Sequence, residues 1–134
     1  MKVIGLLFLL AISLTAFGQS ENQSQSIRTV DRIFAGYIKQ NESTDSEVNR
    51  IEMELALKSL QAECDIKYFS RLIDVWMYYD PTDFPTRRLV MPILLRDKPE
   101  ALKAIEKRIQ KKKKWETNDT APFSELISLR EKFK

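Results

Sequence analysis

Apolar residues recur at helical spacing from Ile27 to the end of the chain, and the pattern predicts about five to six helices. Ile27, Val30, Phe34, Tyr37 and Ile38 form a first stripe, expected to stop near Lys39 or Gln40. Asn41-Glu42-Ser43 is a polar turn, and Thr44-Asp45-Ser46-Glu47 has the form of a capping box, with Ser46 as an alternative cap. The helix that follows runs to about Cys64 and has two apolar sides. Val48, Ile51, Leu55 and Ala62 fall on one, and Met53, Leu57, Leu60 and Cys64 on nearly the opposite one. Such a helix is expected to pack centrally between two neighbours, the alternative being a face kept for a partner.

Ile66, Phe69, Leu72, Ile73, Trp76 and Met77, widened by Val75 and Tyr79, make the most aromatic element and the expected heart of the core. Asp80-Pro81 ends it, because a residue before proline avoids the helical region. Leu89 to Leu95 is apolar all round and holds Pro92; in this context it reads as a short helix kinked at Pro92. Asp97-Lys98-Pro99-Glu100 is a helix start, followed by the stripe Leu102, Ile105, Ile109. A polar connector, residues 115–122, precedes a last helix carrying Phe123, Leu126, Ile127, Arg130 and Phe133, started by Pro122 or Ser124. The fold class expected is all-α, a compact bundle or a short stack of helices.

Ahead of this pattern the chain carries a different signal. Met1-Lys2 is a short positive start, the run from Val3 to Leu14 is apolar, and Ala16-Phe17-Gly18 offers small residues at a cleavage site. This is the form of a secretory signal peptide, and the apolar run is shorter than the about 20 residues of a membrane span. The expected division is a signal peptide at 1–18, a flexible polar leader at 19–25 and a single helical domain at 26–134, exported to the periplasm or secreted. With Lys2 removed, 21 basic residues face 19 acidic ones, which selects no partner by global charge.

Composition then narrows the chemistry. The chain has no His, which removes the commonest general base and metal ligand and excludes Ser-His-Asp and Cys-His catalysis within it. Of three Gly only Gly36 lies past the cleavage site, too few for a phosphate-cradling loop. No cofactor and no metal are expected. Cys64 is the single cysteine; its ordinary role is a small buried apolar residue, and the sharper one is an intermolecular disulfide that would give a dimer.

Three features remain for function. Lys103 to Lys114 holds seven basic residues against Glu106 alone. Lys107, Arg108, Lys111, Lys112, Lys113, Lys114 and Trp115 are therefore the expected binding residues for an anionic surface, lipid or glycan. Their alternative is a solvated helix end whose lysines oppose the negative pole of the helix dipole. Asp74, Asp80 and Asp83 are the acidic candidates; a small carboxylate hydrolase using Asp80 and Asp83 is the competing function, and Arg87 and Arg88 are expected to pair with these acids. Asn22-Gln23-Ser24, Asn41-Glu42-Ser43 and Asn118-Asp119-Thr120 have the form of glycosylation acceptors in loops. The leading expectation is an exported, non-enzymatic module that binds another macromolecule, a protein or an anionic surface, with no role for nucleic acid.

Overall fold

A computed structural model of the chain describes residues 22–39, 46–79 and 85–134, and every regular element in them is helical. The helices are α1 (22–39), α2 (Glu47–Ala62), α3 (Phe69–Tyr78), α4 (Thr86–Leu94), α5 (Lys98–Gln110) and α6 (Ala121–Phe133). Short 3-10 turns at Ile66–Tyr68 and Leu95–Asp97 lead into α3 and α5. The all-α bundle expected from the periodicity is the fold.

α3 is the hub. Six of its ten residues are buried, which needs neighbours on several sides, and it packs against α4, α5 and α6. α1 joins it through the Arg71–Asp31 ion pair and the edge-to-face rings of Tyr37 and Tyr79, whose centroids are 4.7 Å apart. α2 lies on α4, and α5 on α6. The core is continuous, from Val30 and Ile33 through Leu57, Leu60, Phe69 and Ile73 to Leu94, Ile105 and Phe123.

Local chemistry sets the helix ends. Ser46, the alternative cap, starts α2: its side chain accepts from the Asn49 amide at 3.1 Å. The Asp65 side chain accepts from the Lys67 amide at 3.0 Å and starts the turn before α3. Asp97 does the same for α5, accepting from the Glu100 amide at 3.2 Å, with Pro99 in the first turn where its missing N–H does no harm. Arg96 reaches back 35 residues to donate to the Gln61 carbonyl at 2.5 Å and to the Ala62 carbonyl at 2.6 Å, satisfying the open end of α2.

Three expectations are corrected by this arrangement. α2 is not the central helix: Met53, Ala56, Leu57 and Leu60 are buried, but Val48, Ile51 and Leu55 are 62%, 51% and 63% exposed. Periodicity finds two apolar sides but cannot say how many neighbours there are, and α3 takes the central place. Helix is already present at residue 22, inside the stretch read as a flexible leader, because the Gln23 side chain accepts from the Asp65 amide and ties that turn to the α2–α3 connection. The acceptor triplet at Asn22 is therefore helical, whereas that at Asn118 does lie in an exposed turn and that at Asn41 is outside the described residues. Arg87 has its described partners elsewhere than Asp74, while Asp80 and Asp83 lie outside the described residues. It pairs with Glu125 of α6, donates to the Trp76 carbonyl at 3.1 Å and lies 4.2 Å above the Trp76 ring.

Candidate functional site

The α5–α6 connection carries most of the residues singled out for binding. α5 stops at Gln110, so Lys111 to Lys114 do not wind around a helix; Lys111 closes the helix end and the next three lysines lie on an exposed turn. Leaving the helix removes the geometric objection that four successive helical residues point in all directions. Lys107, Lys111, Lys112, Lys113 and Lys114 are exposed, and Trp115 is 58% exposed.

Arg108 leaves this set. Its side chain is only 10% exposed and bridges two carboxylates, Asp74 of α3 at 2.9 Å and Glu116 of the connection at 2.8 Å. Its charge is spent inside the fold. The helical period that puts Arg108 one turn before the lysines also turns it inward, toward α3.

Glu116 was invisible in the sequence, where it is one acid after four lysines in a stretch without periodicity. It is fully buried and fastens the connection. Its Oε1 accepts from the Lys113 amide at 2.8 Å, and its Oε2 accepts from Arg108 and from the Tyr78 hydroxyl. Burial alone would raise the Glu116 carboxyl, but these donors outweigh it and hold it below the ordinary carboxylate value. Burial first, and then the hydrogen bond to Glu116, push the Tyr78 hydroxyl well up, so it stays a donor. Burial works against the Arg108 charge, and its bonds to Glu116 and Asp74 more than restore it.

A carboxyl depressed on folding stabilises the fold above its unfolded value and loses that stabilisation as pH falls through the folded one. Glu116→Gln is therefore expected to be less stable than the wild type at pH 7, with the gap closing below about 4.5, the group's ordinary value. Urea denaturation at pH 7 and at pH 3 measures it. A gap of constant size would show that Glu116 is not held ionised by this network.

The fastened connection closes one side of a cleft of about 570 Å³. α1 supplies Phe34, Ala35 and Ile38 with Lys39 at the edge, α3 supplies Arg71, Asp74 and Tyr78 from successive turns of one side, and the connection supplies Lys113 and Trp115. The rings of Tyr78 and Trp115 meet edge to face, 5.3 Å between centroids and 63° between planes. The Lys113 ammonium lies 5.6 Å from the Trp115 ring and 5.9 Å from that of Tyr78. Asp74 pairs with Arg108, which also holds Glu116, and Arg71 pairs with Asp31 at 2.6 Å. Among the described residues Lys39 and Lys113 have no carboxylate partner, and both line the cleft with the apolar Phe34, Ala35 and Ile38. The groove between α1 and α2 is smaller, about 260 Å³, and polar Asn22, Gln25, Ser26 and Thr29 form much of its lining.

Asp80 and Asp83 lie outside the described residues. Asp74, the third acidic candidate, is half of an ion pair with Arg108 at 2.9 Å. Cys64 sits just past the end of α2, half-buried, its thiol pushed up to about 11 by burial and then by Asp65. It is a thiol, not a thiolate, at neutral pH. Among the described residues no cluster of acids and cysteine is set to hold a metal, and no helix is long and apolar enough to cross a membrane. Compared with known protein families, with curated proteins and with solved structures, the chain matches none.

Proposed function

We propose that this chain is an exported, non-enzymatic helical module that binds a negatively charged macromolecular surface through its α5–α6 connection. One observation carries the reading. Lys111 to Lys114 leave the helix together and stand exposed beside an exposed Trp115, on a turn fastened from beneath by the buried Glu116. Lysines with an aromatic ring at their edge suit an anionic interface: the ammonium groups meet the charge and the indole sits at the boundary between apolar and wet regions. The apolar start of the chain supports export.

The test is association with vesicles. The protein is expected to bind vesicles containing phosphatidylglycerol at low salt and not vesicles of phosphatidylcholine alone. Binding should weaken as ionic strength approaches the physiological value, where charges are screened beyond about 8 Å. Each lysine contributes about 1 kcal/mol at such a surface, so replacing Lys111 to Lys114 with Gln should weaken binding roughly a thousand-fold. Emission from Trp115 should shift on binding, while Trp76 is buried and silent. Binding to an acidic polysaccharide with the same salt dependence would name glycan rather than lipid as the source of the charge. Binding that survives the four substitutions would exclude the connection as its cause.

A further inference from the structure

We infer that the cleft between α1, α3 and the 111–116 connection is a binding site for a small single-chain amphiphile with an anionic head group, a medium-chain or long-chain carboxylate. The inference deepens the proposed binding role by giving the connection a second, enclosed ligand, and it rests on the same exposed Lys113 and Trp115.

The volume, about 570 Å³, falls within the range of small-molecule sites, about 300–1,000 Å³. Its walls are apolar where its rim is charged. Ile38 is 53% exposed although it belongs to the apolar stripe of α1, because that end of the stripe runs past the core and out along the cleft. Trp115 is the other large apolar side chain left exposed there, its ring against that of Tyr78. A bound apolar chain would cover Ile38 and Trp115 together, which the fold itself does not.

Charge selects the head group. The carboxylate of Asp74, on the cleft wall, is paired with Arg108, which weakens its repulsion of an anion. Lys113 and Lys39 stand at the rim, and Lys113 is held there through its own amide, bonded to the buried Glu116. A cationic amphiphile would meet the same walls and be repelled. Ring geometry selects the body. A planar aromatic ligand is held best between parallel faces, but the Tyr78 and Trp115 planes stand at 63°. An angled aromatic corner accepts a slender, flexible chain instead.

Isothermal titration of the full chain with dodecanoate, kept below its micelle concentration, tests this. One saturable site per chain is expected, with dodecyltrimethylammonium bound at least ten-fold more weakly and octanoate weakened by its shorter chain. Ile38→Asp and Trp115→Ala alter exposed side chains and should each lower dodecanoate affinity at least ten-fold, with the denaturation midpoint unchanged. Replacing Lys111, Lys112 and Lys114 with Gln, while keeping Lys113, should leave dodecanoate affinity as it is. Ile38→Asp should also leave vesicle association intact, since Ile38 is not on the connection. Loss of dodecanoate binding in the wild type, unsaturable uptake, equal binding of the cationic amphiphile or indifference to Ile38→Asp would each overturn the site. Vesicle binding would survive such an outcome, so the two readings fail separately.

Discussion

Trp76→Ala is expected to destabilise the fold by about 3–5 kcal/mol, the range for emptying a large aromatic site in a packed core. Trp76 is buried on α3, the helix on which α4, α5 and α6 converge. Surroundings held from several sides collapse little into a void, which places the expected cost in the upper part of that range. The indole also supports Arg87, whose guanidinium lies 4.2 Å over the ring, and without it the Arg87–Glu125 pair loses its platform between α4 and α6. Urea denaturation measures the loss, with Lys113→Ala as the comparison, since an exposed substitution changes stability by at most about 0.5 kcal/mol. Equal stability of the two variants would remove Trp76 from the core.

Arg108→Ala is the second large effect, about 3–5 kcal/mol, and its cause is different. What matters is that Glu116, fully buried, and Asp74, 27% exposed, are left as charges with no cation between them. Removing one partner of a buried ion pair costs far more than the pair contributes, because the remaining charge has been taken out of water without compensation. The double variant Arg108→Met with Glu116→Gln should therefore recover much of the loss, since only Asp74, the more exposed of the two carboxylates, is left without its cation. A double variant as unstable as Arg108→Ala alone would mean that the side-chain volume, not the charge, is what α5 needs there.

The two effects separate what is legible in a sequence from what is not. Trp76 could be placed in the core from its spacing with Leu72, Ile73 and Met77, because helical period and burial are the same physical fact seen twice. α4 was legible for another reason: an apolar run containing Pro92 does not suit a central strand, and helix from Thr86 to Leu94 is what forms. Arg108 was misread because a basic residue among lysines looks like surface charge, and only its neighbours in space, Asp74 at 34 residues' distance and Glu116 at 8, turn it into a buried bridge. The cleft had no linear signature at all. Its walls come from α1, α3 and a connection without periodicity, and the spacing of Ile38 says only that it belongs to the apolar stripe of α1.

The sequence by itself determined the helical class, the helix start at Asp97, a start for α2 at Thr44 or Ser46, the aromatic core helix, and a basic segment ending in Trp115. Each follows from interactions between residues a few positions apart, which the order of side chains encodes directly. The tertiary structure alone decided which helix is central, which apolar side of α2 stays in water, and which charges are available to a ligand. Those depend on how many neighbours each face acquires and on long-range ion pairs. For that reason Arg108 belongs to the scaffold and Lys113, five residues on, stands at the edge of the cleft.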